Sequence, residues 1–402
     1  MNVSGPRGAD VSALCARIVD GAVPDVRDVE TLLRARDDAA VVFAAARQVR
    51  ARHCGDAVFL YGFVYFSTYC RNDCTFCFYR AGNTESPRYR KSPAEVVAIC
   101  RDLASSGVVL LDLTMGEDPR LQSASGRAAL VDLVAAVAAE TGMPVMVSPG
   151  VLEEPTLRAL REAGAAWYAL YQETHTPELY ARLRVGQSFA ARAGARAAAR
   201  RVGLLVEDGL LTGIGDTPTD RAHSVIAMRD AGWEQVRVMT FVPQAGTPLA
   251  DVTPAGDLDE LLTIAVMRLV MPERFIPASL DVDGIAGLER RLEAGANVVT
   301  SIVPPTTGLA GVSLSQIGNV GPELGQSYII DSFIVVVAGG VGQLLGAVTA
   351  GFGLGILSKF MEPSMGAVIS KIAILVLVIA AVTALLFRTA RLWVFYAGED
   401  PR

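Results

Sequence analysis

The chain has 402 residues and a nearly balanced charge, with 36 basic and 42 acidic residues giving a formal net charge of −6. No basic stretch is interleaved with aromatic residues, so nucleic acid is not expected as a partner. The six cysteines, three of them within eight residues, do not have the spacing of a secreted disulfide framework, and the N-terminus lacks a secretory signal. We therefore expect a cytoplasmic protein in a reducing compartment.

The first 55 residues predict short helices, because their apolar positions recur at helical spacing between polar residues. We expect residues 1–55 to form a helical cap on the domain that follows.

Residues 56–312 contain eight apolar runs that alternate with helix-favouring segments rich in Ala, Leu, Arg and Glu. Continuous apolar runs are typical of strands buried on both faces, and their alternation with helices indicates a parallel sheet. We therefore predict an α/β fold, a TIM-type (β/α)8 barrel. The predicted strands are Val58–Phe66, Val108–Thr114, Pro144–Ser148, Ala165–Glu173, Val202–Thr212, Gln235–Phe241, Phe275–Leu280 and Ala296–Ser301.

Polar residues follow or end several of these runs, where a barrel of this class carries its chemistry. A single polar residue at such a position can simply mark the end of a strand, but their recurrence on several strands favours a site. They include Asp112, Ser148, Glu173, Arg237, Ser279 and Asp281.

Residues 313–402 have a different composition. The 27-residue run 332–358 has no charged side chain, and as a helix rising about 1.5 Å per residue it exceeds the roughly 30 Å hydrocarbon core of a bilayer. A second apolar run at 372–387 is shorter, and arginines follow it. We predict a two-helix transmembrane appendage with its tail in the cytoplasm. The alternative is a pair of buried helices in a soluble domain.

The most specific motif is YFSTYCRNDCTFCFYR, which contains Cys70, Cys74 and Cys77 in a C-x3-C-x2-C pattern directly after the first predicted strand. Three thiolates on one short loop can bind three irons of a [4Fe-4S] cluster and leave the fourth iron open. The alternative is structural zinc, which usually takes four closed ligands, and the sequence offers no fourth Cys or His near the motif. The pattern therefore predicts an iron–sulfur site.

The chain resembles the methylornithine synthase family of radical S-adenosylmethionine (SAM) enzymes over residues 10–312. The resemblance includes loop residues as well as the cysteine motif. In chain order, the segments that carry it are FVYFSTYCRNDCTFCFY, LDLTMGEDP, VMVSPG, ALYQET, RLRVGQSF, VEDGLLTG, VRVMTFVPQAGTPL, IPASLDVDGI and AGANVVTSIVPP.

The resemblance implies that the cluster binds SAM and that nearby residues hold this cofactor. Gly116, Glu117 and Asp118 correspond to the family's GE motif, whose backbone meets the SAM amino group, and Phe76 is expected near the adenine. The alternative for each residue is a structural polar or apolar group. The remaining residues expected to hold SAM are Ser148, Tyr171, Glu173 and Arg184, with Arg184 as the partner of the SAM carboxylate.

The substrate implied by the resemblance is L-lysine, which has one carboxylate and two ammonium groups. A dry site for such a molecule needs a cation for the carboxylate and carboxylates for the ammonium groups. Arg237 can clamp the carboxylate, and Asp112 and Asp281 with Ser279 can receive the ammonium groups. All four match the family's substrate positions. The alternative for Arg237 and Asp281 is an ion pair inside the barrel.

The reaction implied by the resemblance is hydrogen abstraction from C4 of lysine, fragmentation of the resulting radical and recombination to 3-methyl-D-ornithine, a step of pyrrolysine biosynthesis. An electron donor such as a flavodoxin or ferredoxin is implied as a partner.

Beyond about residue 312 the sequence departs from this family, whose members continue with soluble helices. From about residue 325 it is similar to the membrane part of a urea or branched-chain amino acid ABC-transporter permease. The fragment is too small for a transport path, so we expect it to anchor the enzyme to the inner membrane. The alternatives for the whole chain are another radical SAM enzyme of the biotin synthase or hydrogenase maturase type, and an inactive membrane-anchored fusion product.

Overall fold

The barrel is visible in a computed structural model that describes residues 8–279 and 284–302. All eight predicted strands are confirmed within this range. The largest shift is at the fourth strand, which ends at Ala169 rather than at Glu173. The strands are β1 Phe59–Ser67, β2 Leu110–Met115, β3 Val145–Ser148, β4 Ala165–Ala169, β5 Leu205–Thr212, β6 Gln235–Thr240, β7 Pro277–Ser279 and β8 Val298–Ile302.

The strands form one parallel sheet in the order β6-β5-β4-β3-β2-β1-β8-β7. The two outer strands, β6 and β7, approach each other near their N-terminal ends. There Gln235 and Phe275 form an isolated parallel bridge, and the Val236 amide donates to the Phe275 carbonyl at 3.0 Å. The sheet is thus a nearly closed (β/α)8 barrel, joined at the bottom of the β6–β7 seam.

Helices alternate with the strands, and their sequences explain where they begin and end. Ser92 and Thr217 cap two of them through reciprocal capping boxes, each followed by a proline at the first helical position. Gly142 and Gly232 end two helices with positive φ angles of 64° and 71°. The helices are α1 Gly8–Val19, α2 Val26–Arg34, α3 Ala39–Cys54, α4 Pro93–Ala104, α5 Ala124–Thr141, α6 Glu154–Glu162, α7 Pro177–Leu183, α8 Phe189–Arg201, α9 Pro218–Ala231, α10 Leu258–Val270 and α11 Gly284–Glu293.

The three N-terminal helices pack on the outside of the barrel. Helix α2 lies against α9 and α10, and α3 lies against α10. Val29, Leu32 and Val42 are fully or almost fully buried in this contact layer. The polar residues of the candidate site lie at the C-terminal end of the barrel, where the strands run into loops.

The two predicted transmembrane runs lie outside the described residues. Among residues 8–279 and 284–302, none of the helices combines the length and apolar character that crossing a bilayer requires. The membrane appendage therefore stays a prediction from sequence.

Candidate active site

The three motif cysteines lie on the loop that leaves β1 at the C-terminal end of the barrel. Cys74 is buried, and Cys70 and Cys77 are half-buried. The Thr75 amide donates to the Leu183 carbonyl at 2.9 Å, which ties this loop to the end of α7. The thiols are therefore held on a supported loop above the strand ends.

The three thiols are the candidate ligands of an iron–sulfur cluster. Within the described ranges, no three His, Cys, Asp or Glu side chains converge on a point where one metal ion could sit. In a cubane each thiolate binds a different iron, so such convergence is not needed. Burial and the neighbouring Cys74 and Cys70 thiols raise the pKa of Cys77 to about 12.

Gly116 permits the close contact between the cysteine loop and the loop after β2. A Cβ atom at position 116 would lie 2.4 Å from the Tyr69 carbonyl oxygen and 3.0 Å from the Cys70 Cβ. The backbone also joins the two loops, because the Arg71 amide donates to the Glu117 carbonyl at 3.0 Å. A side chain at 116 would push the cysteines away from the barrel.

Two acids that follow Gly116 are paired with arginines. Glu117, 7 % exposed, contacts Arg192 at 3.3 Å and Arg71 at 3.2 Å. Asp118 is fully buried and receives Arg90 at 2.6 Å and the Ser67 hydroxyl at 2.6 Å. The side chain of Asp118 thus fixes the loop, which leaves any contact with a ligand to the backbone here or to Glu117.

Glu173 and Arg184 form a third buried ion pair, with their atoms 2.5 Å apart. Glu173 has a φ of 67°, a sparsely populated conformation for a non-glycine residue. Beyond the end of β4, the Glu173 amide donates to the Gly209 carbonyl of β5 at 2.9 Å, and the Glu173 carbonyl accepts from the Leu211 amide at 3.1 Å. Arg184 and Gln187 donate to the Cys74 sulfur at 3.6 and 3.0 Å. The ion pair of Glu173 and Arg184 therefore lies beside the cysteine loop. We call Glu117, Asp118, Glu173, Arg184 and Arg192 the rim.

The other predicted SAM residues lie near the C-terminal ends of the strands. The Phe76 ring packs with Leu179 and Leu183 and lies 5.5 Å from the Arg184 guanidinium. Ser148 is half-buried at the end of β3, in register with Thr114 of β2. Tyr171 is half-buried and lies past the end of β4.

Below the rim, strand alternation points side chains into the barrel interior, which we call the lumen. Asp112 is 2 % exposed and accepts a hydrogen bond from Thr114 at 2.9 Å. Arg237 is 5 % exposed. Its Nε donates to Glu207 at 2.8 Å, and a terminal nitrogen contacts the Tyr61 hydroxyl. Arg237 thus forms an ion pair inside the barrel with Glu207, while the predicted alternative for Arg237 and Asp281 stays untested because Asp281 lies outside the described residues.

Ser279 is also buried, at the end of β7, whereas Asp281 lies outside the described residues. Apolar and aromatic side chains close the lumen at its N-terminal end; they include Leu110, Met146, Trp167, Phe275 and Val298.

Four of the residues that contribute to this arrangement were missed in the sequence. Glu207 had a signal, since two adjacent acids interrupt an otherwise apolar central strand. Tyr61 had a weaker one, its even spacing with other aromatic residues along β1. Arg192 and Gln187 had none, because their contacts depend on how α8 and the preceding loop fold back over the barrel.

The comparisons with known proteins agree with this geometry. Residues 64–225 match the model of the Radical SAM superfamily. The chain is 45 % identical over 306 residues to the 3-methylornithine synthase of Methanosarcina barkeri strain Fusaro, covering 76 % of this chain and 87 % of that protein. It is 29 % identical over 264 residues to the [FeFe] hydrogenase maturase subunit HydE of Thermotoga maritima, covering 64 % of this chain and 74 % of that protein.

A crystal structure of methylornithine synthase (PylB) superposes with a TM-score of 0.70 at 45 % identity, covering 73 % of this chain and 87 % of that one.

Proposed function

The chain belongs to the 3-methylornithine synthase family of radical SAM enzymes, and from this membership we propose that it rearranges L-lysine to 3-methylornithine. The observation that carries the proposal is the identity of 45 % over 306 residues, which exceeds the 29 % over 264 residues to the hydrogenase maturase subunit. A [4Fe-4S] cluster and SAM are its cofactors.

We propose that Cys70, Cys74 and Cys77 hold the cluster and that the rim holds SAM. When bound there, the cofactors would supply the radical chemistry that removes hydrogen from the substrate. Arg184 lies within 3.6 Å of Cys74 and is a cation suited to the SAM carboxylate. Its pairing with Glu173 orients it before any ligand binds. Phe76, Ser148, Tyr171 and the loop at Gly116 complete this subsite.

The lumen offers the charges that a diamino acid needs. Arg237 presents a planar cation for the substrate carboxylate, and Asp112 presents a carboxylate for an ammonium group. We assign Ser279 and Asp281 to the same subsite, with Asp281 resting on sequence alone. Arg237 and Asp112 are almost completely buried. In a site with so little water, their electrostatic interactions with a substrate are stronger than they would be at the surface.

Enclosure is the second contribution of the protein. The aromatic and apolar floor formed by Trp167, Phe275 and Met146 closes the lumen from below. A reaction that passes through fragments needs them kept together and in orientation until they recombine. The closed floor supports this role.

We also propose two partners that the described residues do not test. A flavodoxin or ferredoxin supplies the electron, and the charge-free run at 332–358 anchors the cytoplasmic enzyme to the inner membrane. The second proposal is checked by fractionating cells that express the full chain. We expect the protein in the membrane fraction after a carbonate wash, and recovery in the soluble fraction would contradict the anchor.

The main proposal is tested by reconstituting the full chain anaerobically with iron and sulfide and adding SAM, a reductant and carbon-13-labelled L-lysine. We expect labelled 3-methylornithine by mass spectrometry. Deoxyadenosine without that product would instead favour a reaction of the biotin synthase or hydrogenase maturase type. A protein that binds no cluster would favour an inactive fusion.

A further inference from the structure

Glu207 is a completely buried acid on strand β5, which lies beside β6. Its neighbour Asp208 points to the outer helices, where it contacts His175 at 3.2 Å and Arg196 at 3.3 Å. Because side chains alternate along a strand, Glu207 points to the opposite side, into the lumen. Register confirms the position, since Glu207 lies beside Gln235 of β6, and Gly209 beside Arg237.

Glu207 and two tyrosines hold the Arg237 guanidinium. Oε1 of Glu207 accepts from Nε of Arg237 at 2.8 Å, and the Tyr61 hydroxyl meets a terminal nitrogen. The rings of Tyr61 and Tyr171 lie 5.8 and 5.4 Å from the guanidinium. Gly209 provides the room, because a Cβ there would lie 2.9 Å from the Tyr171 ring. Arg237 is thus positioned before a substrate enters.

The charged and hydroxyl groups around Glu207 come from its own strand and from four other strands or their ends. Asp112 of β2 and Asp208 of β5 are acidic, Arg237 of β6 is basic, and Tyr61 of β1 and Tyr171 after β4 add hydroxyl groups. Burial raises the pKa of Glu207 well above its usual range, the Asp112 and Asp208 carboxylates add to this effect, and the nearby polar groups of Gln235 and Tyr171 oppose it. A further carboxylate on Arg237 would act in the same direction as Asp112.

We propose that Glu207 is a positioning residue that holds Arg237 and takes up a proton from solvent when the substrate carboxylate binds to Arg237. The inference rests on the proposed function. At a pH above its raised pKa, Glu207 is a carboxylate without substrate and is the counter-ion of Arg237, 2.8 Å away. When the substrate carboxylate takes that place, a charged Glu207 would be a second buried anion on one cation, and protonation removes the repulsion. The neutral acid still accepts the hydrogen bond from Nε.

The proposal is tested by anaerobic calorimetry of L-lysine binding to the reconstituted, SAM-loaded full chain, in buffers of different ionisation enthalpy. We expect wild type to take up protons when it binds lysine, and the uptake should approach about one proton as the pH rises. Because Glu207 must then be protonated from a more basic solution, the affinity for lysine should fall as the pH rises. In Glu207→Gln, which keeps the shape and the acceptor, we expect no such uptake and an affinity that depends less on pH. In Glu207→Ala, which also removes the acceptor, affinity should fall about 10- to 100-fold.

Three results would overturn the inference: equal proton uptake in wild type and Glu207→Gln, equal pH dependence of the two affinities, or an affinity in Glu207→Ala like that of wild type. The electron paramagnetic resonance signal of the cluster reports whether each variant is folded. Failure of wild type to convert lysine would instead count against the proposed function. A wild type that converts lysine without the proton uptake would count against Glu207 alone.

Discussion

The rim and the lumen both depend on buried arginine–carboxylate contacts, but they use them differently. At the rim each acid is matched by an arginine, as in Glu173 with Arg184 and Glu117 with Arg192. In the lumen Arg237 serves Glu207, while Asp112 is supported by a threonine hydroxyl. The rim therefore fixes geometry through arginine–carboxylate pairs, and the lumen holds Arg237 and Asp112, which suit the carboxylate and an ammonium group of lysine. Changes at the rim should affect SAM, and changes in the lumen should affect lysine.

The largest effect is expected where the rim meets the cluster. Cys74→Ala should remove one iron ligand, and turnover should fall by more than about 10³-fold because the radical-forming step is lost. Iron and sulfide content, with deoxyadenosine formation, provide the measurement. Cys100→Ala is the matched control, since that buried cysteine lies on α4 in the core. A Cys74→Ala protein that kept full cluster content would contradict the ligand assignment.

The next effect extends the comparison to the outer face of β5. Asp208→Asn should lower the free energy of unfolding by about 4 kcal/mol, because the Arg196 guanidinium would remain buried without its counter-ion. Chemical denaturation at pH 7 measures this loss. A loss below about 1 kcal/mol would show that the pair contributes little.

The same residue gives a pH dependence with a definite sign. Burial alone would raise the pKa of Asp208, but Arg196 and His175 lower it to about 2. Because the folded-state pKa is depressed, the stabilisation is present above about pH 4 and is lost as the pH falls towards 2. The difference in stability between wild type and Asp208→Asn should therefore shrink in that interval. A difference that stays constant down to pH 2 would contradict the low pKa.

A smaller effect is expected in the lumen. Arg237→Lys keeps the charge but loses the planar fork that meets Glu207 and Tyr61. We expect the KM for lysine to rise about 100-fold, or about 2.7 kcal/mol, while the KM for SAM stays within about twofold. Steady-state kinetics with each substrate in turn separate the two. An equal rise in both constants would break the distinction between lumen and rim.

The smallest effect is expected for the matching change at the rim. Arg184→Lys retains a cation beside Cys74 but weakens the contact with Glu173, so the KM for SAM should rise about tenfold, or about 1.4 kcal/mol. The KM for lysine should change little. If lysine binding suffered more than SAM binding, the assignment of Arg184 to the SAM subsite would be wrong.

Much of the barrel could be predicted because local patterns determine it. Buried parallel strands are long apolar runs, and all eight were recognised. The β4 strand was predicted too long because Glu173 follows the same polar pattern as a strand end, whereas its φ of 67° takes it out of the regular ladder and into a separate bridge with Leu210. Nothing in residue type signals that turn of the backbone.

Some residues of the candidate site could also be predicted from the sequence, whereas the contacts between them could not. The cysteines follow from spacing, and Asp112 and Arg237 from their positions on strands. The pairing of Arg237 with Glu207 could not be read from the sequence, since it depends on which two positions of β5 and β6 lie in register. Arg192 reaches Glu117 across 75 residues of chain, a distance over which sequence pattern carries no signal.

The contact at Gly116 restricts how this catalytic centre could be engineered. No side chain fits between position 116 and the Tyr69 carbonyl, so the two loops that meet there cannot shift independently. If the cysteine motif alone were transferred into another barrel, its loop would not be held at the correct distance from the strand ends. The loop after β2 would have to be transferred with it, as a single unit.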